Sequence, residues 1–355
     1  MNAASTNVPS ASVPPQSVRP TESTQDLLHV RRRPALSRWF ERGFEWTCAA
    51  STWFGLGVLV VLLIGVLWQG AGWLTWSFLT NYDSRHPENA GVIAGLWGSF
   101  WLVSLATLLT VPIGVGAAIF LEEYQTKGWL RTLIEVNLSN LAGVPSIVYG
   151  ILGMAVFVKM FGVFQHDPQL LELSLGFTSV EIPLPFGRTV LSGAMTLALL
   201  MLPVVIVASR EALRAIPPSI RHASYALGAT HWQTIRHVVL PVAVPGIVTG
   251  VILAVARAAG ETAPLLMIGA AIFLARTPGG IESPADVFRH PHGLLEAPFD
   301  HFTALPIQIY NWVSRPEPEY RHVAAAAILV LLAVLQVFNV TASIARARSR
   351  SRARW

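Results

Sequence analysis

Between positions 242 and 275 the chain runs for 34 residues with only two ionisable side chains, Arg257 and Glu261. A stretch this apolar cannot form the wetted surface of a soluble fold. It is one of six. Residues 47–68, 92–121, 136–158, 189–209, 242–275 and 323–345 each supply the roughly 20 apolar residues that a helix needs to cross a bilayer. Charged residues make up 13% of the chain, against about 25% in soluble domains. The expected fold is therefore an all-α, polytopic helical membrane protein with six transmembrane helices.

Lys and Arg orient the spans. With the N-terminus inside, 17 of the 25 Lys and Arg lie on the cytoplasmic side and 6 on the other, the asymmetry expected of cytoplasmic segments. Both termini are expected in the cytoplasm. Residues 1–46 then form a basic tail, disordered at its Ser-, Thr- and Pro-rich start. Residues 47–91 hold the first span and an external loop, 92–345 the membrane core, and 346–355 a second basic tail. The net charge of +5 follows the flanks of the spans. This fits anionic lipid better than nucleic acid. Cys48 is read as a small core residue.

The external segment 276–321 contains His290, His292 and His301. No cysteine or carboxylate spacing makes them a metal site, so they read as solvated. In the same segment Tyr310 and Trp312 suit the headgroup level. No G-x-x-x-x-G-K-[ST] motif occurs; Lys127 and Lys159 are the only lysines and neither follows a glycine. The chain carries no ATP-binding loop of that type, and no cofactor is expected.

The cytoplasmic segment 209–241 is built as an elbow. Pro217 and Pro218 interrupt the fourth span and open a new helix. Ile220, Tyr225 and Leu227 offer part of an apolar face. Gly228 stops that helix. Thr230 and Gln233 have the spacing of a capping box, so a second short helix follows from His231 and ends before Pro241. Such an elbow suits the membrane surface or a groove in a partner protein.

Arginine and glutamate in hydrocarbon cost at least about 2.5 kcal/mol each. Arg257 and Glu261 should therefore face the bundle interior or a watery cavity, and at i and i+4 they share one helix face. A straight 34-residue helix would be roughly 51 Å long, against a hydrocarbon core of about 30 Å. Gly260 and Pro264 bracket Glu261 and mark a break; Pro245 and Gly246 mark a second irregularity. Broken helices line transport sites. Arg257 is expected to offer fixed donors for the oxygens of an anion, with Glu261 expected to hold Arg257 and keep the site from trapping that anion. Thr262 joins them on the substrate path.

HASYALGATHWQTIRHVVLP (222–241) resembles the coupling loop of bacterial ABC importer permeases, in its Ala223, Gly228, Ile235, Leu240 and Pro241. His222 stands where that family has glutamate. GVPSIVYG (143–150), ARAAGETAP (256–264) and FTALPIQIYNW (302–312) are similar to the phosphate permeases of the PstA type, from the second span to the sixth. The resemblance implies an ABC type I importer permease fold in a bacterial inner membrane. It implies an ATPase-coupling loop that includes His222, Ala223, Tyr225, Gly228, Thr230, Trp232, Ile235, Leu240 and Pro241. The implied partners are an ABC ATPase dimer, a second homologous permease and a periplasmic phosphate-binding protein, with phosphate as cargo and no enzymatic activity in this chain. From the residues alone sulfate, molybdate or phosphonate remain alternatives, as do an ion-coupled secondary transporter and a membrane scaffold.

Overall fold

Long apolar runs fold as helices in a membrane because no water is present to satisfy an open backbone. The computed structural model describes residues 35–124, 128–159, 169–174, 179–184, 187–270, 274, 277–280 and 291–352. Of the tail expected at 1–46, residues 1–34 lie outside the described residues, as do His290 and Lys127, while 35–46 belong to a helix that runs on into the first span. Among those described, five helices are long and apolar enough to cross a membrane: Arg42–Trp73, Ile93–Tyr124, Val190–Arg214, His231–Ala259 and Glu319–Ile344. A bent pair, Arg131–Ala142 and Ser146–Lys159, makes a sixth.

The chain divides into two units, residues 1–62 and 63–355. The first carries the start of α1 (Ala35–Gly70). Its side chains from Arg42 onward are exposed, Cys48 among them. The core reading of Cys48 is thus corrected: a span bordered by hydrocarbon has no need to bury a thiol.

The second unit continues through α2 (Trp76–Thr80) and α3 (Ile93–Ile119), which widens into a π turn over Phe120–Tyr124. Then come α4 (Trp129–Ala142), α5 (Ser146–Gly153) with a π turn over Met154–Lys159, and α6 (Val190–Arg214). The elbow is α7 (Pro218–Ala226) and α8 (His231–Thr234). A π turn over Ile235–Val239 leads into α9 (Leu240–Ala259). After α9 come α10 (Ala263–Ile268), α11 (Pro291–Glu296), α12 (Leu305–Ser314) and α13 (Glu319–Arg352). Helix α13 runs well into the basic segment that the sequence suggested was a tail. The all-α expectation holds for the spans. Between α5 and α6 the chain adds an antiparallel hairpin, β1 (Gln169–Ser174) and β2 (Ser179–Leu184), in the register Gln169↔Leu184.

Small residues set the packing. Cβ atoms added at Gly246 and Gly250 of α9 would collide with Ala212 and Ala208 of α6. This small-residue seam lets two helix backbones approach closely without a bulky knob. Gly114 does the same for α3 against Val205 of α6, and Gly193 of α6 receives Leu102 and Phe302. Leu102, Val190, Leu197, Met201, Val205, Ala254 and Phe302 belong to the central buried cluster.

Several expectations about helix ends and placement change. The third span is not straight: it turns by 104° at residues 143–145, where Pro145 has ψ 138° and no N–H to continue a helix. The helix after Thr230 does not end before Pro241. It continues as one helix, His231–Ala259. The π turn over Ile235–Val239, just before Pro241, changes the hydrogen-bond register there, so the missing proline N–H does not end the helix. Pro245 lies inside α9 without breaking it. Trp312 is not presented to lipid headgroups. It is fully buried and its indole Nε1–H donates to Asp83 Oδ1 at 2.8 Å.

Candidate functional site

The break foreseen between Gly260 and Pro264 is present. Helix α9 ends at Ala259 with Gly260 as its cap, and α10 starts at Ala263. The Glu261 N–H donates to the Ala258 carbonyl at 3.2 Å and the Leu266 N–H to the Thr262 carbonyl at 3.1 Å. Glu261 and Thr262 thus form the connecting turn. Helix α10 stops at Gly269, in a left-handed conformation with φ 83°. The segment after the other break, α5, packs on it: a Cβ at Gly150 would stand 2.6 Å from Pro264 Cα.

Across the α9–α10 break Arg257 Nε donates to Glu261 Oε1 at 3.4 Å. Glu261 is largely covered, with its side chain 19% exposed, while that of Arg257 is 56% exposed. Of the two settings expected for the pair, the bundle interior or a watery cavity, the interior of this chain covers Glu261 but not Arg257. The face of α9 that packs inward carries Ala254 and Ala258. Leu253, Arg257 and Gly260 are exposed. The inward face is taken by the tight helix contact, which has room for alanine and glycine but not for a guanidinium.

The elbow lies at the other end of the same helix, roughly 40 Å away at about 1.5 Å per residue. Thr230 Oγ1 accepts from the Gln233 N–H at 3.3 Å, and Gln233 Oε1 accepts from the Thr230 N–H at 2.8 Å: the capping box forms as its spacing predicted. Gly228 turns the chain with φ 82°. Ser224 and Thr234 hydroxyls meet at 2.9 Å between the two short helices, and Tyr225 Oη lies 2.8 Å from His231 Nδ1. Ile235 is buried and Leu240 packs beside Val239 and Ala243. His222, Ala223, Trp232 and Pro241 are exposed. Leu227 does not join an apolar face inside the fold; at the bend it is 90% exposed.

Sequence reasoning missed a network of charges below the bundle. Arg210 Nε donates to Glu122 Oε1 at 2.7 Å, and its Nη2 to Glu135. Arg214 Nη2 lies 2.9 Å from Glu122 Oε1. Arg131 Nε donates to Glu135 Oε1 at 3.0 Å. Arg221 of α7 donates to the carboxylate of Glu123, Nη2 to Oε1 at 2.7 Å. A local signal was the Glu122–Glu123 pair closing an apolar run; its arginine partners on α6 and α7 lie 88 to 98 residues away.

At the opposite end, Asp83 accepts from Trp312 and from Arg315 Nη2, the latter at 3.0 Å. Burial pushes the Asp83 carboxyl up from its ordinary value, while the Trp312 hydrogen bond and the Arg315 charge pull the other way. The Arg315 guanidinium lies 4.3 Å from the Tyr320 ring centroid, and the Tyr320 hydroxyl donates to the Ser84 carbonyl at 2.8 Å. His301 Nδ1 lies 3.2 Å from the Arg188 carbonyl. Among the described residues no group of three or more His, Cys, Asp or Glu is placed to hold a metal ion.

The sequence profile of the family described as "Binding-protein-dependent transport system inner membrane component" matches residues 110–350. The chain is 32% identical over 308 residues to "Phosphate transport system permease protein PstA 1" of Mycobacterium tuberculosis, covering 84% of this chain and 87% of that one. It is 29% identical over 305 residues to "Probable ABC transporter permease protein YqgI" of Bacillus subtilis, covering 82% and 92%. To "Phosphate transport system permease protein PstC" of Mesorhizobium japonicum it is 35% identical over 214 residues, covering 58% and 64%. Among solved structures it resembles a bacterial alginate ABC transporter crystallised with its alginate-bound periplasmic protein. That match has a TM-score of 0.55 and 16% identity and covers 86% of this chain and 95% of that one; it bears on the fold alone.

Proposed function

We propose, from the premise that the chain belongs to the family of binding-protein-dependent transport system inner membrane components, that it is the phosphate-conducting permease subunit of an ABC importer. It is a transporter subunit and not an enzyme. The cargo reading draws on the phosphate permeases it resembles. Family membership implies a substrate-binding protein and an ATPase as partners. The finer reading adds an ATPase dimer, a second permease chain of the same kind and both termini in the cytoplasm.

One observation carries the mechanism: the elbow and Arg257 are joined by a single continuous helix, His231–Ala259. On this reading the elbow seats in the ATPase, with Leu227 and Trp232 exposed for contact. ATP binding and hydrolysis displace the elbow, and α9 carries that displacement to the break at Gly260. Arg257 faces out of this chain, so the permeation path runs between this chain and the second permease. That path supplies the polar surroundings which an arginine needs at this depth. The guanidinium meets phosphate oxygens with paired donors. Glu261, bonded to it, keeps binding loose enough for release, and Thr262 adds a hydroxyl at the same turn.

The deciding experiment is uptake of labelled phosphate in cells lacking the chain, restored with wild type or Arg257→Ala at equal membrane levels, with sulfate as competitor. Rescue by wild type only, insensitive to sulfate, is the expected result. Rescue by both forms removes Arg257 from the path, and competition by sulfate changes the cargo.

A further inference from the structure

We infer that Arg221 and Glu123 form the joint by which the elbow drives the cytoplasmic ends of α3 and α6; this rests on reading the elbow as the ATPase-coupling element. The continuous helix accounts for how the elbow reaches α9. It does not account for how the other spans follow.

Arg221 sits in α7, the first helix of the elbow. Its Nε lies 3.2 Å from Glu123 Oε1 and its Nη2 lies 2.7 Å from the same oxygen. The same guanidinium donates from Nη1 to the Ile216 carbonyl at 2.8 Å and from Nη2 to the Leu213 carbonyl at 3.0 Å. The Leu213 carbonyl lies in the last turn of α6 and the Ile216 carbonyl just beyond its end, where positive charge is favoured. One side chain therefore ties three elements together: the terminal π turn of α3, the end of α6 and the elbow. A second strand of the joint comes from α8, whose His231 Nε2 lies 3.1 Å from the Glu123 carbonyl.

Burial gives the joint its stiffness. The Glu123 side chain is 5% exposed and that of Arg221 19%. Pulling the elbow away would leave a covered carboxylate facing no cation, which costs more than moving the attached span along with it. The planar fork of arginine makes this possible, since a lysine ammonium cannot reach a carboxylate and two separate carbonyls with fixed donors. Neighbouring pairs lock the span ends to one another, Arg210 and Arg214 of α6 to Glu122 of α3. The elbow thus pulls on a bundle end that moves as one piece.

The test uses the complete transporter, with its ATPase, second permease and binding protein, in proteoliposomes. Labelled inorganic phosphate moved is read per ATP hydrolysed. For Glu123→Gln, which keeps shape and an acceptor but loses charge, hydrolysis should continue while phosphate moved per ATP falls about tenfold. Arg221→Lys should show a smaller fall in the same ratio. If these variants lower only the yield or thermal stability of the complex and leave the ratio unchanged, the joint is refuted. Failure of both variants to assemble refutes it as well, for the pair is then purely structural. A wild-type complex that hydrolyses ATP but moves no phosphate overturns the functional reading, and the joint falls with it.

Discussion

Gly250 of α9 lies flush against Ala208 of α6, leaving no space for a methyl group between the two helices. This contact holds the helix that carries Arg257 to the centre of the bundle. Gly250→Ala should destabilise the folded chain by about 1–3 kcal/mol, the usual cost of overpacking. Thermal melting in detergent measures it. Ala208→Gly in the same chain should restore most of the loss, and failure of that rescue would show that the seam is not the cause.

Arg257 and Glu261 make a long, half-exposed ion pair, of a kind that contributes about 0–1 kcal/mol to stability. Arg257→Ala should therefore leave the melting temperature nearly unchanged and reduce phosphate uptake at least about tenfold, from the loss of a charged hydrogen-bonding group. A melting temperature that collapses alongside uptake would make the pair a structural lock.

Leu227 makes no use of its exposure within the chain. Leu227→Asp should fold normally and lose its ATPase. Interface anchors of this kind are worth about 2 kcal/mol or more, read as a drop of more than about tenfold in the amount of ATPase that co-purifies. Retained ATPase at wild-type levels would remove Leu227 from the contact.

Asp83 gives the fold a pH dependence with a definite sign. Its carboxyl is raised in the folded state above 3.8 by burial, so the folded chain holds that proton more tightly than the unfolded one. Its contribution is fully present below the ordinary carboxylate value and is lost as the pH rises through the raised folded value. Asp83→Asn keeps an acceptor for Trp312 and removes this titration. Melting temperatures of the two forms, compared from about pH 4 to 7, should diverge, wild type losing ground relative to the variant as pH rises. Parallel curves would show that Asp83 does not titrate differently on folding.

What could be read ahead of the structure was local. A run of about 20 apolar residues reports a span whatever its neighbours do, and Thr230 with Gln233 reports a cap because both partners lie within one turn. The break near Glu261 followed from the length of the run and its flanking Gly260 and Pro264. The bend at residues 143–145 escaped because a hydropathy average is blind to direction: α4 and α5 count as one apolar run although they diverge by 104°. Pro241 and Pro245 misled because proline next to a π turn or among packed neighbours need not stop a membrane helix. The outward position of Arg257 and the pairing of Arg221 with Glu123 depend on which faces meet, which no spacing within one helix specifies.

The unbroken helix from His231 to Ala259 is a lever arm. Over roughly 40 Å, a tilt of about 5° at the elbow sweeps the Arg257 end through about 3.5 Å. That is comparable to the small helix shifts that separate the states of allosteric proteins. On the proposed reading, swinging the arginine between two openings requires no unfolding, but α6 must turn with the arm, because Gly246 and Gly250 lie flush against it.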